Sequence, residues 1–438
     1  MARRAPNKNA RVPTTDATTS DVRPTYGRST LKALVFEFDI TRLAAARALG
    51  SLHSRGYLSA LGPLRLRDVP DARLLGDRWV IVATEMCGVC GSDVKQVFMD
   101  AALDNPLPAM ISFPHVLGHE HVGVVVDVGH DVRRVRRGDR VACSPWLSCV
   151  VRGLPECEAC RRGQTSLCAS FTQGTFSAGM HAGTCRDVSG GFASHVPVHE
   201  TGCFPVPEAV SFERAVLADP VAVAFHAMLR SPPRPGETVV VIGCGSLGVV
   251  LVHLLAQLHP RSKVIAVDPR AHARELASRL GANVTFASQG AALVEDVARA
   301  VDAPVLRPRF ALPWLRGGVH RVFDTVGSAR SLEAAVRILR PRGTLVLVGV
   351  SRPARFEWTP LYFKELQVLG SSGYGTEDFE GRRAHAIEHV LDLVATGRID
   401  PAFVLTHRFA LNQYKDAFLT ARSKGASESM KVAFDFSR

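Results

Sequence analysis

Two patterns of apolar and polar positions divide the chain. Up to about Ser211 the apolar runs are short and broken by Gly and Asp. They include KALVFEF from Lys32, residues 64–66, residues 78–84, and VGVVVDVG, the basic turn VRRVRRGDR and VAC between residues 116 and 143. Many short strands of this kind predict a small β-barrel. Within this half, residues 39–57 are rich in Ala and Leu with a helical repeat and predict an inserted surface helix. Residues 149–168 predict a polar, cysteine-bearing loop. After Ser211 helix and strand patterns alternate. Helices are expected over 213–230, 272–280 and 331–339, and strands over 239–242, 263–267, 321–324, 344–350 and 366–370. That alternation predicts a doubly wound parallel sheet. Residues 290–318, with several prolines, read as an irregular connection, and order is expected to begin near Leu31.

The second half is organised by one stretch, TVVVIGCGSLGVVLVHLLAQLHPRSKVIAVD, residues 238–268. A strand pattern precedes Gly243-Cys244-Gly245-Ser246-Leu247-Gly248, and a helical pattern and a second strand follow it. Gly243 permits the tight turn, Gly245 lets backbone approach a pyrophosphate, and Gly248 lets the helix lie close to its strand. The helix N-terminus then faces the phosphates. Asp268 stands 268 − 248 = 20 residues past the last glycine, where a carboxylate accepts from an adenosine ribose. It favours NAD over NADP, while the nearby Arg270 weakens that preference. The rivals are a glycine-rich turn in an ordinary core and a membrane helix over 239–258. Three early glycines with Ser246, His253 and Gln257 argue against a membrane span.

Composition sets outer bounds. The 438 residues suggest two or three domains, and 46% hydrophobic with 21% charged residues is ordinary for a soluble globular protein. Of the net charge of +12, about +4 lies in the first thirty residues, which carry six Arg/Lys against two Asp. That segment, 1–30, is expected to be a disordered basic tail. It could touch nucleic acid or steer an anion, but a solvated extension is the preferred reading. It lacks the apolar core of a signal peptide, and Asp16, Asp21 and its prolines argue against a transit peptide. With cysteines at metal-ligand spacings, an intracellular, cytoplasmic zinc protein is expected.

Two constellations carry the metal chemistry. In the first, Cys87-Gly-Val-Cys90-Gly-Ser92-Asp93, Gly118-His119-Glu120 and Asp219-Pro220 lie far apart in sequence. Catalytic zinc takes three protein ligands and keeps one position open. Cys90, His119 and Asp219 would supply that set. Glu120 would either enter the coordination sphere transiently or support it from outside. Taken singly, each motif is weak; the C-x-x-C alone could be a redox pair. In the second constellation Cys149, Cys157, Cys160 and Cys168 match a closed structural site. The alternative for that lobe is a zinc ribbon touching nucleic acid through Arg152, Arg161 and Arg162, against which stands its lack of interleaved aromatics. Cys143, Cys185, Cys203 and Cys244 are expected to be packing residues.

Assembled, these residues resemble the zinc-containing medium-chain alcohol and polyol dehydrogenases of the threonine and sorbitol dehydrogenase kind. The likeness rests on CGVCGSD, GHE, the four-cysteine lobe, ADPVAVAFHA, IGCGSLG, FDTVGS, GTLVLVGV and MKVAFDF, in that order from about Leu31 to the end. The resemblance implies a Rossmann domain over 220–373 and a GroES-like barrel with a zinc lobe over 31–219 and 374–438. It also implies an NAD-dependent, zinc-assisted interconversion of a small-molecule alcohol and its carbonyl. Cys90 rather than Cys87 would bind zinc with His119 and Asp219, and Ser92 would hand on the alcohol proton. Ser246, Leu247, Val326, Gly349 and Val350 would join the glycines and Asp268 at the cofactor. Three departures stand out. Lys95 stands where the family's relay histidine is common, so the relay is expected to end differently. The first lobe cysteine, Cys149, is displaced by an insertion, and residues 39–57 and 290–318 exceed the usual pattern. A homodimer or homotetramer is usual, with no membrane or nucleic-acid partner. The competing readings are a zinc-independent enone or quinone reductase on the same fold and a non-enzymatic metal or redox sensor.

Overall fold

The computed structural model describes residues 26, 27, 29–100, 105–350 and 355–438, so the expected basic tail over 1–30 falls almost wholly outside the described residues. β1 (Thr30–Phe36) leads into α1 (Ile40–Leu52), capped by the Asp39 carboxylate accepting from the Arg42 N–H. This is the inserted helix expected over 39–57, its last turn being a 3-10 turn, Ser54–Leu58. β2 (Leu64–Pro70) returns antiparallel to β1. β3 (Trp79–Gly88), α2 (Gly91–Val97), β4 (His115–Val116), β5 (Glu120–Val128), β6 (Arg140–Cys143), α3 (Glu158–Arg161), β7 (His195–His199) and β8 (Cys203–Pro205) follow.

α4 (Phe212–Ala215) and α5 (Ala218–Arg230) replace the single helix expected over 213–230. The break has a local cause. Proline has no N–H and clashes within a helix interior but is tolerated in a first turn, and the restart at Ala218 puts Pro220 there. β9 (Thr238–Ile242), α6 (Ser246–Leu258), β10 (Lys263–Val267), α7 (Ala271–Arg279) and β11 (Val284–Phe286) come next. Residues 290–318, expected to be irregular, instead hold α8 (Gly290–Val301), β12 (Val305–Leu306) and β13 (Trp314–Leu315). Leu293, Val294, Val297 and Ala298 are buried at helical spacing. Pro304, Pro308 and Pro313 all lie beyond α8 and obscured that signal. β14 (Val319–Asp324), α9 (Ala329–Ile338), β15 (Leu339–Leu347), α10 (Thr359–Phe363) and β16 (Gln367–Gly370) complete this half.

Six strands in the order β11-β10-β9-β14-β15-β16 form one parallel sheet. Alternate residues of a strand face opposite sides, and both sides are covered. Val239 and Val241 join one apolar cluster and Val240 and Ile242 another. That explains the uninterrupted apolar run. Among the described residues no helix is long and apolar enough to cross a membrane.

The remaining elements are β17 (Thr376–Phe379), β18 (Arg382–His385), α11 (Ala386–Ala395), β19 (Leu405–Phe409), α12 (Tyr414–Arg422) and β20 (Lys431–Asp435). β20 pairs antiparallel with β3, giving a seven-stranded sheet in the order β19-β20-β3-β5-β6-β8, with β7 also on β3. The last strand of the chain is thereby laid against the cysteines that begin the site.

Candidate functional site

Cys90 is the N-cap of α2, two residues past the end of β3, and its backbone N–H donates to Asp93 Oδ2 at 2.9 Å. Glu120 opens β5, and His119 directly precedes it. The ligand atoms of Cys90, His119 and Glu120 lie within 4.8 Å of one another. Asp219, expected as the third ligand, is not in that trio. It sits buried in the first turn of α5, and its carboxylate accepts from the Tyr374 hydroxyl. It is still within electrostatic reach of both His119 and Glu120. Burial first, then the Glu120 charge, pushes Asp219 up to about 6. Ser92 and Lys95 are exposed on α2, and Lys95 Nζ donates to the Val350 carbonyl at 2.5 Å, across to the far end of β15.

The charges of the trio call for a cation. His119 Nδ1 is buried with no hydrogen-bond partner among the described residues. Burial alone would depress His119, yet Asp93, Cys90 and Glu120 together hold it well above its ordinary value. A buried imidazole, a thiol and a carboxylate at these separations fit a zinc ion, whose ligands are N, S and O atoms.

The four-cysteine lobe fits a metal more simply. Cys149, Cys157, Cys160 and Cys168 place their sulfurs within 4.8 Å of one another, and all are free thiols. Cys149 and Cys168 sulfurs stand 3.5 Å apart, against about 2.05 Å for a disulfide and about 3.8 Å for two sulfurs on one tetrahedral zinc. Backbone N–H groups of Cys157, Ala169 and Ser170 donate to the sulfurs of Cys149, Cys157 and Cys168 at 3.3–3.5 Å. Backbone hydrogen bonds from Ala169 and from Cys160 draw Cys157 down to about 6, while burial pushes Cys160 and Cys168 up. A divalent ion would let all four ionise together. Beside the lobe, Arg152 is fully buried. Its guanidinium donates to the carbonyls of Leu147, Gln173, Phe176, Ser177 and Gly179, fixing the loop beyond the cysteines.

The dinucleotide fingerprint folds as its spacing predicts. Gly243 has φ of +90°, and a Cβ on Gly248 would lie 1.8 Å from the Gly243 carbonyl oxygen, so α6 starts tight against its strand. A Cβ on Gly245 would meet nothing within 4 Å, so protein packing does not demand that glycine; a phosphate approaching its backbone would. Ser246 and Leu247 open α6. Val326 and Gly349 lie just past the ends of β14 and β15, and Val350 is exposed beside them. Asp268 ends up differently engaged than expected. Its carboxylate accepts from Cys244 N and from Arg270 N, Nε and Nη2 at 2.8–2.9 Å. Burial alone would raise Asp268, but these bonds hold it low. Both residues line a cavity of about 280 Å³ with Gly243, Val326 and Arg330.

Sequence reasoning missed Lys431 and Tyr374. Lys431, on β20, forms a buried ion pair with Glu120. Burial alone would lower it, but Glu120, Cys90 and Asp219 hold it above its ordinary value. The one signal was Gly88, inside C-G-V-C: a Cβ there would lie 2.2 Å from the Glu120 carboxylate and 3.1 Å from Lys431 Cε. His181 was also missed. Its ring lies 4.5 Å from that of His119.

Comparison with known proteins agrees with this architecture. Residues 76–208 match the family model described as alcohol dehydrogenase GroES-like domain, and residues 234–388 the one described as zinc-binding dehydrogenase. D-xylulose reductase A of Aspergillus oryzae is 28% identical over 362 residues, covering 82% of this chain and 91% of that protein. The solved structure of alcohol dehydrogenase TADH from Thermus sp. ATN1 superposes with a TM-score of 0.67 at 25% identity, over 92% of this chain and 99% of that one. 2R,3R-butanediol dehydrogenase from Bacillus subtilis gives 0.69 at 22% identity, over the same shares.

Proposed function

The chain belongs to the zinc-containing medium-chain alcohol and polyol dehydrogenases, and we propose that it interconverts a secondary alcohol or polyol and its carbonyl with zinc and NAD. Cys90, His119 and Asp219 would hold the catalytic zinc, and Cys149, Cys157, Cys160 and Cys168 the structural one. Two carboxylates compete for the third place. Glu120 already has Lys431 as counter-charge in a direct ion pair, whereas among the described residues the Asp219 carboxylate bonds only to the Tyr374 hydroxyl, feels Lys431 and His119 from farther off, and is pushed up to about 6. Asp219 is therefore the carboxylate that most needs a cation, and Glu120 would approach the ion from its pairing with Lys431. An Asp oxygen in place of a thiolate makes a harder ligand set with looser zinc binding.

When bound, zinc supplies Lewis acidity that makes the carbinol proton easier to remove, and NAD takes up the hydride. The chain's own residues do the rest. Ser92, two residues past Cys90 on the first turn of α2, would accept the hydroxyl proton at Oγ. The Gly243–Gly248 loop and the start of α6 would bind the pyrophosphate. Asp268 would take the adenosine ribose, favouring NAD; Arg270, paired to it, would turn outward for this. Val326, Gly349 and Val350 would line the nicotinamide side. The barrel, residues 31–219 and 374–438, and the sheet domain, 220–373, would hold the reacting groups between them. In keeping with this division, the parallel sheet draws only on strands from Thr238 to Gly370.

The observation that carries this reading is the gathering of Cys90, His119 and Glu120, with Asp219 close by. The test is metal analysis together with NADH absorbance across an alcohol and polyol panel. About two zinc per chain and turnover of at least one substrate are expected. A zinc-free chain that reduces enones or quinones would establish the reductase alternative instead. Further parts of this proposal are a cytoplasmic location, in keeping with free cysteines, and a homo-oligomer. β16 is the edge of its sheet, and Tyr362 and Phe363 just before it are exposed, a surface that a second copy would cover.

A further inference from the structure

Residues 39–57, which exceed the usual family pattern, end against the wall of the proposed cofactor cleft. The 3-10 turn Ser54–Leu58 that follows α1 seats the Tyr57 ring on Gly50, where a Cβ would lie 2.2 Å from that ring. Arg55 of the same turn pairs with Asp416 of α12 at 3.7 Å. Tyr57 meets Phe98, just past α2, edge-on at 5.6 Å. Arg422, the last residue of α12, holds its guanidinium carbon 4.2 Å from the centre of the Phe98 ring and 5.6 Å from that of Tyr57. The insert therefore reaches Arg422 both through α12 and through a pair of aromatic rings.

Arg422 lines a cavity of about 420 Å³ in front of α6, together with Lys95, Lys424 and Ser246, the first residue of α6. Asp100 is the one acid among its lining residues. Stacking uses the face of a guanidinium and leaves its N–H donors available. Among the described residues Arg422 makes no ion pair or side-chain hydrogen bond, and neither does the half-buried Lys424. Burial, then the Lys431 and Arg270 charges, pull Lys424 below its ordinary value, while Cys90 and Glu120 act against this. Its ammonium thus stands within electrostatic reach of Arg270, at the adenosine end of the proposed cofactor site, and of Cys90, at the metal end. Between those ends a dinucleotide carries its diphosphate. Two cations without a counter-charge, facing a helix N-terminus, suit that group.

Resting on the dehydrogenase reading above, we propose that the insert is a strut for the cofactor. Tyr57 and Phe98 hold Arg422 at the cavity wall, where Arg422 and Lys424 bind the diphosphate from the barrel side, opposite α6. Arg422 and Lys424 are the binding residues, and Tyr57 is the positioning residue. A guanidinium already stacked on two rings has less freedom to lose on binding than one left in solvent.

The test is fluorescence titration of NADH into zinc-loaded protein, with adenosine as a competitor that lacks the diphosphate and the thermal midpoint as the check of folding. Arg422→Met and Lys424→Met should each weaken NADH about tenfold and leave adenosine within about twofold. Tyr57→Ala should weaken NADH about threefold, and Tyr57→Phe, which keeps the ring, should recover it. In an Arg422→Met background Tyr57→Ala should add no further loss. If Tyr57→Ala unfolds the insert, Phe98→Leu carries the same comparison. NADH affinity unmoved in Arg422→Met and Lys424→Met, or equal losses on adenosine, would overturn the diphosphate site. A ring-removal loss that adds in full to that of Arg422→Met would overturn the strut. A wild type that binds no NADH fails the dehydrogenase reading itself, whereas wild-type binding with unmoved variants fails only this proposal.

Discussion

The lobe and the trio of Cys90, His119 and Glu120 are both metal-sized clusters attached to the same barrel, yet they are built on opposite principles. The lobe takes four chemically identical ligands from Cys149 to Cys168, caps their sulfurs with local N–H groups and brings in no carboxylate. The trio gathers unlike side chains from the start of α2 and the start of β5, with Asp219 of α5 nearby, among Asp93, Lys431 and Tyr374. As four thiolates the lobe would saturate a metal and leave it no open position. At the trio there remain an imidazole nitrogen with no hydrogen bond among the described residues, faced only by the more distant Asp93 carboxylate, and a displaced carboxylate. One cluster is made to hold a chain segment; the other keeps bonding capacity in reserve.

The sharpest way to break this contrast is to remove one thiol from each cluster. Cys90→Ala should reduce turnover to the uncatalysed baseline and zinc from about two to about one per chain, while NADH binding and thermal midpoint hold. Cys160→Ser should do the converse, lowering the midpoint by about 10 °C through loss of the lobe metal. Calorimetry, metal analysis and an NADH assay on the two variants check this. Parallel losses of stability and activity in both would show that the clusters are not divided in this way.

The next largest effect sharpens the trio's side. Lys431→Met leaves Glu120 buried without its counter-charge and should cost about 3–5 kcal/mol in denaturant unfolding. Lys431→Met with Glu120→Gln should cost clearly less than Lys431→Met alone, because the stranded charge is gone. If the double variant is as unstable as the sum of the singles, the two side chains act independently and the ion pair is not what holds β20 over Gly88.

The same contrast explains what could be read from the residues alone. The lobe and the glycine loop are local: Cys157-x-x-Cys160 and Gly243–Gly248 each lie within one loop or turn, so spacing in sequence is spacing in space. The trio is not local. Cys90, His119 and Asp219 were legible as candidates, but nothing in their spacing showed that Glu120 would point inward while Asp219 bonded to Tyr374. Lys431 reaches the site only because β20 pairs with β3, a register no local pattern encodes. The split at Pro220 was legible in principle from proline's missing N–H. α8 was hidden because the prolines after it were counted with it. The Asp268–Arg270 pairing could not be seen either, since a carboxylate two residues from an arginine can face a ribose or its neighbour equally well.

The smallest effect concerns Lys95, where the contrast between holding and reacting meets in one residue. Its ammonium spans from α2 to the Val350 carbonyl and so ties the barrel to the nucleotide-binding half. A lysine ammonium offers three donors and no acceptor, which suits a latch better than the receiving end of a proton relay. Lys95 and Val350 are both exposed, so solvent screens the bond and its worth is under about 1 kcal/mol. Lys95→Met should therefore weaken NADH binding only about two- to fivefold, with kcat and its pH profile unmoved. Stopped-flow titration of NADH and a kcat–pH series separate the two roles. A kcat loss of about a hundredfold with a displaced pH limb is what removing a general base produces, and that result would return Lys95 from the latch to the relay.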